Sequence, residues 1–198
     1  MSHMSPSSSR LLGELESYGA VEESERASLK RIREFLTCSP DPFSRSNPEG
    51  HVTASAVVAR RGDAAFLLVW HLKLDRWLQP GGHLEPSDAS VFAAALREAR
   101  EETGIEAFEA PIGERILDVD VHPIPAHGSD PAHFHYDIRY LLTVSGPFSP
   151  LPRGCGLFTL EQALAAGVDE SLKRALRKAL DSLRPRPAYR TPQTAHRA

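Results

Sequence analysis

Residues 79–105 read QPGGHLEPSDASVFAAALREAREETGI. A Gly-Gly pair leads through an acidic, proline-bearing loop into an alanine-rich run that stops at Gly104. The spacing predicts a helix over about 88–103, with Ser87 or Asp88 as its N-cap and Gly104 as its C′ residue. Glu98, Glu101 and Glu102 stand at i, i+3 and i+4, so they share one helical face within a turn. Like charges at that spacing destabilise an isolated helix by roughly 0.2–0.5 kcal/mol per pair. A divalent cation would offset that repulsion.

Around this stretch the apolar pattern changes period. HVTASAVVAR (residues 51–60) and AAFLLVW (64–70) read as two strands joined at Arg61-Gly62-Asp63, a hairpin signal. A further turn and a short strand near Trp77-Leu78 follow. Beyond the acidic helix, RILDVDVHPI predicts a strand with Leu117, Val119 and Val121 on one face and Asp118, Asp120 and His122 on the other. HFHYDIRYLLTV alternates again: Phe134, Tyr136, Ile138 and Tyr140 oppose His133, His135, Asp137 and Arg139. Helices are expected after Thr159 and over VDESLKRALRKAL, with Leu172, Leu176 and Leu180 in a stripe.

At the N-terminus, residues 1–10 resemble a cloning remnant or disordered leader. Residues 11–36 read as helical, broken at Gly19, with Leu29, Ile32, Phe35 and Leu36 as the apolar stripe. Three prolines make residues 39–50 a loop. The division is therefore a helical extension over 11–50, a β-rich domain over 51–183, and a tail over 184–198 with four arginines and no acid, expected to be disordered. With 41% hydrophobic and 25% charged residues, the composition is that of a globular protein. A net charge of −3 argues against a broad nucleic-acid surface, and no apolar run approaches membrane-spanning length. Cys38 and Cys155 lie far apart with no metal-ligand spacing, so a reduced, cytoplasmic chain is expected.

Residues 82–105 closely resemble the Nudix box of the Nudix hydrolases: a glycine, five residues, Glu, seven residues, then Arg-Glu-apolar-any-Glu-Glu-any-Gly-apolar. Arg97, Glu98, Ala99, Arg100, Glu101, Glu102, Thr103, Gly104 and Ile105 complete the second half. The loop before it holds one extra residue. Counting forward from Gly82 reaches Asp88 at the first glutamate position, whereas counting back from Arg97 reaches Ala89. The resemblance implies an α/β/α sandwich with a mixed central sheet, and hydrolysis of a nucleoside diphosphate linked to another group. It implies Mg²⁺ or Mn²⁺ held by Glu98, Glu101, Glu102 and the backbone of Gly81, with Arg97 orienting the glutamates. A metal-activated water would attack phosphorus, Glu101 or Glu102 acting as general base.

Physical chemistry supports that assignment. Cleaving an anionic pyrophosphate needs charge neutralisation and a positioned water, and Mg²⁺ favours carboxylates plus phosphate oxygens. A catalytically inactive nucleotide-binding or regulatory module is the alternative reading. His83, His122, His133, His135, Asp137 and Arg139 are candidates for substrate contacts, phosphate, base or an additional metal among them. His51 is read as a surface or hydrogen-bonded residue. The expected partner is a small nucleotide derivative, with no membrane and no nucleic acid; a homodimer is compatible with the sequence.

Overall fold

The computed structural model describes residues 6–63, 65–128, 131–145, 151 and 153–184. The expected disordered tail, beyond its first residue, lies outside them. A seven-stranded mixed sheet forms the middle layer. Its strands are β1 (Gly50–Arg60), β2 (Phe66–His71), β3 (Arg76–Leu78), β4 (Gly81–His83), β5 (Ile116–Ile124), β6 (His133–Val144) and β7 (Cys155–Phe158). The order is β3-β2-β1-β6-β5, with β4 added to β1 and β7 to β2. Only β1 and β6 run parallel; all other pairs are antiparallel. One edge of β1 is shared: residues 58 and 59 meet β2, and residues 53–55 meet β4.

Helices cover both faces. On one lie α1 (Pro6–Glu16), α2 (Glu23–Cys38) and α3 (Val91–Thr103); on the other lie α4 (Leu160–Ala165) and α5 (Glu170–Leu183). Strand alternation sorts the side chains. Ala54, Tyr136, Ile138 and Tyr140 pack with Leu11, Leu15, Ile32, Leu36, Ala94 and Ala95, all nearly or fully buried. Val57, Phe66 and Leu141 pack instead with Leu172 and Leu176 of α5.

The hairpin, the two-helix N-terminus and the C-terminal helices follow the sequence. Three local expectations change. Helix α1 begins at Pro6, inside the segment set aside as a remnant. Helix α3 begins at Val91, capped by Ser90, whose Oγ accepts from the Ala93 N–H at 3.1 Å. Asp88 is not the cap because its carboxylate is engaged elsewhere. Leu117 joins the α5-side core rather than Val119, because a register shift between Ile116 and Asp118 inserts an extra residue. The helical extension packs against the sheet, with Phe35 stacked on Tyr136 at 3.9 Å.

Candidate active site

Strand β4, read from sequence as a turn, is squeezed between β1 and α3. A Cβ on Gly81 would lie 2.2 Å from Ser55 Oγ, and one on Gly82 would lie 2.5 Å from a Glu98 carboxylate oxygen. Gly81 thus lets β4 lie close against β1, and Gly82 leaves room for the Glu98 carboxylate of α3 over the strand. The Gly81 N–H donates to Glu102 Oε2 at 3.0 Å. The end of the acidic helix is thereby fastened to the Gly-Gly strand.

Arg97 is the hub of this junction. Its Nε and Nη2 donate to both oxygens of Asp88 at 3.1 and 3.0 Å, a bidentate pair. Its Nη1 reaches Glu98 at 2.9 Å and Glu101 at 3.3 Å, and its Nη2 also meets the His83 carbonyl at 2.8 Å. Asp88 additionally accepts from the Glu85 N–H at 2.7 Å, closing the loop that carries the extra residue. Burial alone would raise the Asp88 carboxyl, but Arg97 and the Glu85 N–H hold it below the usual range. Asp88 thus positions the arginine that positions Glu98 and Glu101.

Three carboxylates share one guanidinium here, with Glu102 nearby on the Gly81 N–H, and the surplus is electrostatically visible. Burial, and then the charges of Glu101 and Asp88, push Glu98 upward against the pull of Arg97. Glu102 is pushed up to about 7 by loss of hydration, then by Glu98 and Glu101, despite its Gly81 hydrogen bond. One edge of Glu102 remains open to water, as does Glu101. A surplus of carboxylates around a desolvated glutamate fits a hard divalent cation such as Mg²⁺. A cleft of about 540 Å³ adjoins the box loop, lined by Arg10, Glu14, Arg45, Glu85, Asp88 and Val91 among others. None of Glu98, Glu101 and Glu102 lines it.

The polar residues of β5 and β6 lie on the other face of the sheet, toward α5. Asp137 and Arg139, expected as substrate contacts, are each 2% exposed and bonded to one another at 2.8 Å. Asp137 also accepts from Thr53, Ser55 and Gln79. Arg139 reaches Asp118, Asp120 and Ser171. Neither offers a free polar group to a ligand, which corrects the reading of this pair as an open surface. Sequence reasoning missed the network that holds them: Asp118, fully buried, takes both Arg174 Nε at 2.8 Å and Nη2 at 2.9 Å.

The histidines gather instead. His51, His83, His122, His133 and His135 form a chain of ring contacts with centroids 4.8–5.6 Å apart. The register explains it: His51 and His122 both stand opposite His135, on β1 and β5. Burial first, then the crowding of neighbouring imidazoles and, for His51 and His83, the charge of Arg45, pushes His51 and His83 down to about 4 and His135 to about 2. These three rings are neutral at pH 7. His51, expected near the surface, is 2% exposed. The alternation His51-Thr53-Ser55 was the available signal, but the parallel pairing with β6 that gives it meaning was not readable. Trp77 packs edge-on against Trp70 and Phe158, beside the α5-side core.

A family model for the NUDIX domain matches residues 50–179. Human diphosphoinositol polyphosphate phosphohydrolase 3-alpha is 32% identical over 113 residues, covering 56% of this chain. The match spans 62% of that relative's length. Among solved structures, a C. elegans Ap4A hydrolase is 20% identical with a TM-score of 0.49, covering 67% of this chain and 98% of that one. The NUDIX domain of Shewanella oneidensis NrtR, in complex with ADP ribose, is 19% identical with a TM-score of 0.46, covering 76% and 97%.

Proposed function

This chain belongs to the Nudix family, and from that premise we propose that it hydrolyses the pyrophosphate bond of a nucleoside diphosphate linked to another group, with Mg²⁺ or Mn²⁺. The observation that carries the proposal is the crowding of Asp88, Glu98 and Glu101 around Arg97, with Glu102 beside them on the Gly81 N–H of the Gly-Gly strand. A divalent ion bound by Glu98, Glu101 and Glu102 would neutralise phosphate oxygens and acidify a water. The chain supplies the rest. Arg97, locked by Asp88, fixes the rotamers of Glu98 and Glu101. Gly81 holds one oxygen of Glu102, leaving the other to accept the proton of the attacking water. Glu101 is already paired with Arg97, whereas Glu102 has no such partner charge, so Glu102 is the general base in this proposal.

The test is a panel of nucleoside diphosphate derivatives and diphosphoinositol polyphosphates, each incubated with and without Mg²⁺. Metal-dependent release of a monophosphate product from a nucleotide, lost in Glu102→Gln, is the expected result. Turnover of only the inositol compounds would replace the nucleotide assignment. Nucleotide binding without product from any substrate would make the chain a binding module.

A further inference from the structure

The histidine cluster has a chemistry that pyrophosphate cleavage does not use. His51 on β1 and His133 and His135 on β6 bring one ring nitrogen each within 4.8 Å of one another. His51 is 2% exposed, and neither of its ring nitrogens meets a hydrogen-bond partner among the described residues. An orphaned buried polar group costs about 1–3 kcal/mol, so the fold holds this ring without the bond it would ordinarily make. His133 Nδ1–H donates to the Pro131 carbonyl at 2.8 Å, which fixes its tautomer and leaves Nε2 with a lone pair. Beside His135, His122 donates in the same way from Nδ1 to Asp120 at 3.1 Å. Donation of the second ring N–H to a carbonyl or carboxylate is the outer-shell support that metal-ligating histidines need.

We propose that His51, His133 and His135 form a binding site for a divalent transition ion of the zinc type, separate from the carboxylate site on α3. Imidazole suits Zn²⁺ and its neighbours, whereas Mg²⁺ takes oxygen ligands. Tetrahedral Zn–N bonds of about 2.0–2.1 Å require ligand nitrogens about 3.4 Å apart. The three nitrogens lie within 4.8 Å of one another, so binding would draw them together by about 1.4 Å at most. His83, with its ring 4.8 Å from His51 and 5.3 Å from His135, borders the fourth position. The charge of Arg45 acts on His51 and His83 and opposes a cation; Asp120 behind His122 works against it.

The full chain, stripped with chelator, should be titrated with Zn²⁺ by calorimetry and with Co²⁺ by visible absorption. One ion per chain and the absorption of four-coordinate Co²⁺ are expected. Both should persist in the Glu98→Gln/Glu102→Gln double variant. His133→Ala/His135→Ala should weaken binding by more than about 100-fold, with circular dichroism confirming that it folds; His133→Ala alone, at a half-buried position, should weaken it in the same direction. Absence of Zn²⁺ binding in the parent chain would overturn the site. So would binding that disappears in the glutamate variant and survives in the histidine ones. Neither outcome bears on Mg²⁺-dependent hydrolysis, which the substrate panel tests separately.

Discussion

Two acid clusters flank the central sheet, and their charge balance differs. On the α3 side, Asp88, Glu98 and Glu101 pair with a single arginine, Arg97, and Glu102 stands beside them on the Gly81 N–H. Around α5, Asp118, Asp120, Asp137 and, from α2, Glu25 meet Arg139, Arg174 and Lys178. The second set is nearly neutral and deeply buried; its bonds tie α2, α5 and three strands together. The first is strongly negative and partly open to water. A cluster of acids therefore says little about function until its cations are counted. A compensated cluster behaves as internal cross-bracing, and an uncompensated one attracts a cation from solution.

Isosteric substitutions in each cluster would test that contrast directly. In the α3 cluster, Glu102→Gln should reduce the rate of pyrophosphate hydrolysis by about 10²–10⁴-fold. It should leave the metal-free melting temperature unchanged or slightly raised, because it removes repulsion. In the α5 cluster, Asp118→Asn should destabilise the fold by about 3–5 kcal/mol in urea unfolding, because Arg174 and Arg139 lose a buried counter-charge. If Glu102→Gln cost as much stability as Asp118→Asn, both clusters would be structural and the contrast would fail.

Glu25 sharpens the same comparison from the helical extension. It is fully buried, bonded to Lys178 and Tyr18, and held by the Val21 N–H at 2.7 Å. Burial would raise its pKa, but Lys178 and Tyr18 outweigh it and hold it at about 2. A depressed folded pKa contributes stability that is complete above the unfolded value, about 4.3. That stability is lost as pH falls from there toward about 2. Glu25→Gln should therefore cost about 1–3 kcal/mol at neutral pH and flatten the acid limb of the stability curve. Unchanged acid unfolding would show that the extension is not anchored by this charge.

The contrast also explains what was legible in the sequence. The box helix could be read because its spacing is local: Arg97, Glu98, Glu101 and Glu102 are brought together by one helical turn. The individual strands and helices followed from period changes and turn residues, whereas the α/β/α layering was implied by the resemblance to the Nudix box. The α5-side network could not be read, since Asp118 and Arg174 are 56 residues apart and meet only through packing of α5 on the sheet. The polar stripe of β6 looked like an open binding face because alternation shows which residues share a face, never what covers it. His51 was misplaced for the same reason. Strand β4 was hidden in a three-residue segment whose two glycines carry no side-chain pattern.

The smallest effect is expected at Glu102, and its sign is opposite to that of Glu25. A carboxyl raised to about 7 in the fold binds a proton that the unfolded chain has released above about 4.3. Between those values the metal-free protein should lose stability as pH rises, with the loss complete above about 7. The slope should be shallow, because water reaches one edge of the side chain and screens part of the repulsion. Melting temperatures in chelator from about pH 5 to pH 8 would expose it as the difference between the parent chain and Glu102→Gln. Saturating Mg²⁺ should reverse that trend, since the ion binds the ionised carboxylates and stabilises the fold by mass action. A parent chain whose difference from Glu102→Gln does not vary with pH would mean that the acids of α3 are fully hydrated. The surplus negative charge that sets this cluster apart from the α5 network would then have no energetic consequence.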